Sequence, residues 1–497
     1  MKLKKLLKDI PDIQIKGSKD LEISGVCANS KLISPGNLFI ARKGMAVDGS
    51  IYINDAVEAG AVAILTDIYN PLLSKNITQV LHPDVAAIEG TVAAHYYENA
   101  SDELFMVGIT GTNGKTTTSF IVKHLLDKLD GSCGLIGTIE YIIGQNRYRA
   151  TRTTPDVSSV HKMLREMSSQ GCKNAVMEVT SHALDQNRVD KIDFDTAIFT
   201  NLTLDHLDYH NTIEAYFEAK LRLFQSLDPK KTKKNHSYPK LAIVNIDSPW
   251  SQKIVKECQT NVLTYSILGK ADLCAEDITF TPNGTSLTLN YQGKKVPLEW
   301  PLVGRYNTYN CLAAVAVGLS RNHSLEAIAH ALTSVPAISG RLEPVPNPLG
   351  LKIYVDFAHS DDALINVLEC LQEFKIGRII VVFGCGGNRD ASKRPKMAQA
   401  CESHADVVIV TSDNPRNEDP QAIINEVITG FKRKNSYTVE IDREEAIRKA
   451  IDIATPDDII LIAGKGHETS QVFAYKTIEF DDRKIALQIC QKKANSQ

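Results

Sequence analysis

Apolar residues in this chain fall into short runs that stop abruptly at polar or glycine-rich turns. The run 104–109 reads as a buried strand. It breaks at a glycine turn and is followed by apolar residues at helical spacing: Phe120, Ile121, Leu125, Leu126 and Leu129. Further runs at 134–137, 175–179, 196–199 and 241–244 repeat the strand–helix alternation, which predicts a parallel sheet. Residues 271–300 are strand-like around an Asn283-Gly284 turn and read as an antiparallel edge, and 307–318 reads as a helix. Upstream, turns at Ser34-Pro35-Gly36-Asn37 and Asp48-Gly49 frame a strand at 38–41, before a helix at 54–59 and a strand at 61–65. Beyond Pro336 a third block carries runs at 353–355, 379–383, 407–410 and 459–463. The pattern predicts an α/β chain of three domains, at about 1–100, 101–337 and 338–497.

Composition narrows the class. With 497 residues, 43% hydrophobic and 23% charged, the chain reads as globular. A net charge of −3 gives no reason to expect a nucleic-acid or membrane-surface partner. The one basic run, Lys230-Lys231-Thr232-Lys233-Lys234, reads as a solvated loop. Ten cysteines occur singly, without a C-x-x-C pair, as thiols do in a reducing compartment. No apolar stretch approaches the roughly 18 residues of a membrane span, and Asp9, Asp12 and Lys16 break up any leader-like segment. The expected location is the cytoplasm.

The chemistry concentrates where strands end. After 104–109 comes Thr110-Gly111-Thr112-Asn113-Gly114-Lys115-Thr116-Thr117, a phosphate-cradling loop entering a helix. Its backbone N–H groups would hold phosphate oxygens, Lys115 would reach the terminal phosphates, and the Thr116 hydroxyl would ligate Mg²⁺. The strict spacing of that motif fails, because Ile109 stands where its first glycine belongs. Glu178, Thr180, Ser181 and His182 follow the third run; Asn201, Asp205, His206 and Asp208 follow the fourth. Ligand groups gather beyond the carboxyl ends of such strands. Glu178 and His206 are therefore candidate ligands for Mg²⁺ beside ATP, with Asp205 and Asp208 as competitors or helix caps. Lys220, on a helix at 214–227, reads by spacing as a surface lysine. Thr153-Thr154-Pro155-Asp156 predicts a helix start with Thr154 as cap, or an anion site on the same donors. Asp356 and His359 either bind a ribose and base or close a turn. Gly464-Lys465-Gly466 lacks the Ser/Thr of a second phosphate loop, so an amino-group site at Glu468 is the better reading. Ser30 and Arg42-Lys43-Gly44 read as surface turns.

These segments together resemble the Mur ligases, amide-forming enzymes of peptidoglycan synthesis. The resemblance rests on the 110–116 loop, Glu178-Val179-Thr180-Ser181-His182, Asn201 to His210, Ala219-Lys220, Gly304 to Asn310, Gly340-Arg341-Leu342-Glu343 and Asp356-Phe357-Ala358-His359, in order along nearly the whole chain. Asn29-Ser30-Lys31, Thr153 to Asp156, Gly384-Cys385-Gly386-Gly387, Asp413-Asn414-Pro415-Arg416 and Gly464 to Glu468 are similar to the members that join meso-2,6-diaminopimelate to UDP-N-acetylmuramoyl-L-alanyl-D-glutamate.

The resemblance implies a central P-loop domain between a nucleotide-sugar module and a C-terminal Rossmann-like domain, in a monomer. It implies that Lys220 is carbamylated and joins Thr116, Glu178 and His206 at the metal, with ATP also touching Asn307, Arg341, Asp356 and His359. Ser30 and Arg42 to Gly44 would hold the uridine diphosphate. Arg152, Thr153, Thr154, Thr180, Gln186 and Arg188 would hold the sugar and dipeptide. Arg389, Asp413, Asn414, Pro415, Arg416, Gly464 and Glu468 would hold the amino acid. Arg152 stands where that family's motif has Asn, Asn29 replaces Asp, Asp361 replaces Pro, and Thr180 replaces Ser with its hydroxyl kept. A lysine-adding or folate-directed sister ligase, a P-loop kinase and a non-catalytic nucleotide-binding module are the competing readings.

Overall fold

The computed structural model describes residues 1–44, 47–233, 238–433 and 435–496. The chain forms two compact units, Met1–Tyr265 with Ala316–His323, and Ser266–Val315 with Ser324–Gln497.

The first unit begins with a small sheet ordered Gln14–Lys16, Thr78–Leu81, Ala63–Thr66, Asn37–Ile40, Gly25–Cys27, parallel except for the first strand. Leu38, Ile40, Leu65 and Val80 pack there against Val85, Ile88 and Val92 of the helix Val85–Tyr96. Next comes the parallel sheet that the runs predicted. Within this unit its strands lie in the order Asn261–Ser266, Leu241–Asn245, Thr196–Phe199, Phe105–Thr110, Asn174–Glu178, Cys133–Ile136, ending in the hairpin Glu140–Ile143 and Asn146–Arg149. Phe105–Thr110 sits centrally, pairing Ile109 with Glu178 on one side and Thr110 with Phe199 on the other. The chain builds outward on the first side and then crosses to the second, leaving a crevice beyond Thr110, where open parallel sheets bind ligands.

Several expectations fail in this unit. Thr154 is not a helix cap. The helix is Val157–Ser169, and Asp156 caps it by accepting from Ser159 N at 3.0 Å. Lys233 is not a solvated residue: it is 6% exposed and pairs with Asp195 at 2.5 Å. A buried carboxylate at the strand's start recruits one cation of the basic run. Lys234 lies outside the described residues.

Arg42 is likewise more than a surface turn, because its guanidinium lies 3.0 Å from the carboxylate of Glu89, which is 1% exposed. Burial pushes the Glu89 carboxyl up to about 7, with Arg42 offsetting part of the shift. Raised above its ordinary 4.5, this carboxyl holds its proton in the fold longer than in the unfolded chain. Its contribution is therefore present below about pH 4.5 and lost as pH rises to 7. Glu89→Gln should flatten the decline in stability across that window, worth on the order of 3 kcal/mol, in denaturant titrations run at pH 5 and pH 8. An unchanged slope would exclude this assignment.

The second unit holds a sheet ordered Glu343–Pro344, Lys352–Asp356, Ile459–Ala463, Ile379–Phe383, Val407–Val410, Tyr437–Val439, parallel apart from its two-residue first strand. Period-two alternation divides its core. Ile379, Val381 and Phe383 pack with Leu364, Leu368, Met397 and Ile423, while Ile380 and Val382 pack with Ile447, Ile451 and Ile489. Helices therefore cover both faces, and the four predicted strand ends remain to carry ligand groups. Leu273–Thr281, Gly284–Tyr291 and Lys294–Trp300 form an antiparallel meander in this unit.

Candidate active site

At the crevice of the first unit, Gly111 and Gly114 have φ of 149° and 86°, which lets the loop turn and the helix Lys115–Leu129 start without a side-chain cap. The uncapped N-terminus presents donors to an anion. Neighbouring strand ends hold the loop: Asn113 N donates to Asn201 Oδ1 at 2.9 Å, and Thr200 Oγ1 donates to Asn113 O at 2.7 Å. Thr112 Oγ1 lies 3.2 Å from the Tyr216 hydroxyl. The loop is braced into a cradle despite its missing glycine.

Thr116 and Glu178 are in contact, with Thr116 Oγ1 donating to Glu178 Oε2 at 2.9 Å. Glu178 also accepts from Thr138 N at 2.8 Å and from Thr138 Oγ1 at 2.9 Å. A Cβ on Gly137 would lie 2.5 Å from Glu178 Oε1, so a glycine is needed for the strand to approach this carboxylate. Thr138 is a site residue that the sequence reading missed; its only signal is its place just after an apolar run. Thr153 Oγ1 lies 3.0 Å from Thr138 Oγ1.

Lys220 is buried, at 1% exposure, and so is no surface lysine. Its Nζ donates to Gly111 O at 2.8 Å, and Lys115 Nζ donates to the same oxygen at 3.0 Å. Two ammonium groups on one carbonyl repel, and burial adds a larger penalty, so the Lys220 pKa falls well below its ordinary value. The shift favours the neutral amine, which is the form that reacts with carbon dioxide. His206 has φ of 54°, and burial lowers its pKa to about 4. At neutral pH its imidazole is uncharged and able to ligate a metal. Asp205 serves it locally, accepting from His206 N at 2.9 Å. Among the described residues no three His, Cys, Asp or Glu side chains converge as a metal group. The oxygen donors that fit Mg²⁺ are Thr116 and Glu178, and Lys220 could add a third only as its carbamate.

Beside this set, buried Thr154 donates to Glu178 O at 2.8 Å and accepts from Thr180 N at 3.2 Å. Thr180 caps Ser181–Asp185 by accepting from Ala183 N. Arg188 donates to Thr154 O at 3.0 Å and to Gln186 Oε1 at 2.6 Å. Burial, followed by the charges of Arg152 and Arg42, lowers its pKa, so the three arginines make a cationic field suited to an anionic substrate. Ser30 heads the short turn Ser30–Leu32, and Lys43 pairs with Asp67 at 3.0 Å. Gly44 N donates to Val47 O.

In the second unit, Asp356 favours turn closure: it accepts from Leu342 N at 2.7 Å and Ala358 N at 2.8 Å. His359 and His467 flank the Phe357 ring at 4.6 and 5.0 Å, and the Arg341 guanidinium lies over it at 4.9 Å. Asn307 Nδ2 donates to Val303 O at 2.8 Å, and its Oδ1 accepts from Asn310 at 3.1 Å.

The loops 384–387 and 413–416 interlock, since Gly387 N donates to Asn414 O at 2.9 Å and a Cβ on Gly387 would meet Pro415 O. Arg416, half-buried with φ of 52°, donates through Nη1 to Gly387 O at 2.8 Å. Arg389 is exposed, and both arginines flank Gly386. Gly464, with φ of 114°, leaves room for the Asp413 carboxylate. Asp413 is buried, which raises its pKa against the lowering pull of Arg443 and Lys465. Arg443, fully buried, forks onto Asp482 at 2.8 Å and donates to Ala463 O and Ser412 O. This clamp beneath the site was also missed, because isolated charges in helical segments carry no local signal.

Residues 22–97 match the model "Mur ligase family, catalytic domain", 109–318 match "Mur ligase middle domain", and 340–466 match "Mur ligase, glutamate ligase domain". The chain is 43% identical to the UDP-N-acetylmuramoyl-L-alanyl-D-glutamate–2,6-diaminopimelate ligase of Chlamydia felis, over 98% of this chain and 99% of that one. The relative of that name from Geobacillus thermodenitrificans is 42% identical over 98% of each chain. A solved structure of a ligase of this name superposes with a TM-score of 0.70 at 29% identity, covering 99% of both chains.

Proposed function

The chain belongs to the Mur ligase family, and from that premise we propose that it joins meso-2,6-diaminopimelate to UDP-N-acetylmuramoyl-L-alanyl-D-glutamate with hydrolysis of ATP to ADP and phosphate. Identity above 40% along 98% of the chain to relatives named for that reaction supports the substrates. The observation that carries the chemistry is the glycine loop with Lys115, Thr116 and Glu178 at its mouth. The domains proposed are 1–100 for the nucleotide sugar, 101–337 for ATP and 338–497 for the amino acid, supported by three family segments within those limits. Among the described residues no helix is long and apolar enough to cross a membrane. The proposed setting is a cytoplasmic monomer.

In this reading, a side-chain carboxylate oxygen of the D-glutamate attacks the γ-phosphorus of ATP, ADP leaves, and an acyl phosphate forms. The amine of diaminopimelate then attacks the acyl carbon, losing a proton, and inorganic phosphate departs. Bound Mg²⁺ would offset charge on the phosphates. Loop N–H groups hold the phosphate oxygens, Lys115 follows the charge on the transferred group, and the Arg42, Arg152 and Arg188 field orients the anionic substrate. Lys220, buried and with its pKa lowered, takes up carbon dioxide as the free amine and releases a proton to become a carbamate, an anionic oxygen ligand.

Phosphate release with a panel of amino acids tests the whole reading. Diaminopimelate-dependent release supports it. Phosphorylated product without amine would instead indicate a kinase, and absence of turnover a binding module. For Lys220, Lys220→Ala should lose nearly all activity, and added short-chain carboxylates should restore part of it by refilling the oxygen position. Full activity in the variant would refute the carbamate role.

A further inference from the structure

Resting on that reading, we infer that Lys465 is a specificity-determining positioning residue, which fixes the polarity of the amino-acid pocket through Asn414 and Glu468. Lys465 is 0% exposed. Its ammonium has three donors and, in this fold, three acceptors: Asn414 Oδ1 at 3.1 Å, Glu468 Oε2 at 3.3 Å and Ser470 O at 2.6 Å. Val472 N also donates to Asn414 Oδ1, at 3.0 Å.

An ammonium and a backbone N–H can only donate. Two donors aimed at one end of the Asn414 amide therefore require that end to be oxygen, whichever way the amide is drawn. The amide nitrogen must then face the other way, and it donates to Glu468 Oε2 at 2.7 Å. Glu468 is thereby gripped at one oxygen by Lys465 and Asn414 together. It lies beside the Lys465 cation, with 31% of its side chain still exposed. A carboxylate held this way is an acceptor for a substrate ammonium, and it cannot swing away to pair elsewhere.

Without the Lys465 charge, the Asn414 amide has less reason to keep its oxygen inward. A flipped amide would turn its own oxygen on Glu468, and two acceptors repel. The pocket would then lose its preference for a substrate carrying an amino group at that end. Gly464 and Gly466, with φ of 114° and 52°, let the backbone drop Lys465 into the interior between them. A lysine in the phosphate-loop manner would instead point outward, which is why the glycine–lysine–glycine pattern misleads when read alone.

The test is steady-state kinetics on the full chain with Lys465→Met, which keeps the apolar stem and removes the donors. KM for diaminopimelate should rise roughly 10- to 100-fold, the range of a lost charge-assisted hydrogen bond. KM for ATP and for the nucleotide substrate should stay put, with kcat changed by less than about threefold. An unchanged KM for diaminopimelate, or equal losses for all three substrates, overturns the inference and leaves Lys465 a packing residue. Should Lys465→Met fail to fold, Asn414→Asp decides: its carboxylate still accepts from Lys465 and Val472 but cannot donate to Glu468. KM for diaminopimelate should rise by a similar factor, and an unchanged value overturns the inference. Failure of the underlying functional reading would appear separately, as an unmodified enzyme that releases no phosphate on addition of diaminopimelate.

Discussion

Lys115→Ala should lose at least about a thousandfold in turnover, since removal of one preorganised donor to developing charge typically costs 10²- to 10³-fold and this one carries a full charge. The physical ground is its position. The Lys115 ammonium lies on Gly111 O and Thr112 O, at 3.0 and 2.8 Å, on the loop that would cradle the phosphates. A short shift of a flexible stem moves it to a terminal phosphate without rearranging the loop. Lys115→Arg should rescue little, because a planar fork does not replace a compact ammonium in a space shaped by two glycines. Lys115 is half-buried, and its ammonium donates to Gly111 O and Thr112 O of its own loop, so the thermal midpoint should move by only a few degrees. Turnover within tenfold of the unmodified chain, in a protein with an unshifted melting curve, would reject the phosphate-loop assignment.

Much of this site can be read from the chain because its strands are apolar runs and its ligands follow them directly. Thr116, Glu178 and Thr180 lie within a few residues of a strand end, so placing the strand places the residue. The helix Lys115–Leu129 was similarly readable from Ile121, Leu125 and Leu126, which are all buried. What stayed hidden depends on pairings between distant segments. Lys233 looks like its solvated neighbours until Asp195, 38 positions away, draws it inside. Thr138 lacks a motif, and its importance lies in meeting Glu178 across two strands. Thr-Pro is a common helix start, so Thr154 reads as a cap or as part of an anion site; Asp156, two residues on, is the cap, and Thr154 braces Glu178. Lys220 is the sharpest case. Helical spacing puts it on a helix but does not say which face is covered, and in Ile213–Gln225 its neighbours Ala219, Leu221, Leu223 and Phe224 are all buried. Glycines tell a similar story: Gly137 and Gly464 are needed because carboxylates from elsewhere occupy the space a Cβ would take.

The unmodified chain should use meso-diaminopimelate and barely use L-lysine, and Arg416 is the reason. The two amino acids differ at the far end of the side chain, where diaminopimelate carries an added carboxylate beside its amino group. Recognising that carboxylate requires a fixed cation. Arg416 is fixed twice: its own N–H donates to Val472 O at 2.9 Å, and its Nη1 donates to Gly387 O at 2.8 Å. With one nitrogen anchored, the planar guanidinium is aimed and can grip a carboxylate with its remaining donors. Arg389, across Gly386, adds a second positive charge to the same end, and Glu468 can accept from the distal ammonium. Loss of a charge-assisted pair in a closed site costs about 2–5 kcal/mol, so discrimination against lysine should be roughly 30-fold to several-thousand-fold in kcat/KM. Arg416→Ala should lose most of the activity with diaminopimelate and little of what lysine supports. Arginine already holds a Cβ at φ of 52°, so alanine adds no new backbone strain there. Arg416→Asn keeps a polar side chain in a conformation Asn favours and removes only the charge: if charge recognition matters, both variants lose diaminopimelate activity alike. Equal kcat/KM for the two amino acids in the unmodified enzyme would refute the assignment. An Arg416→Asn variant as active as the parent would show that the guanidinium only ties its loop to Gly387.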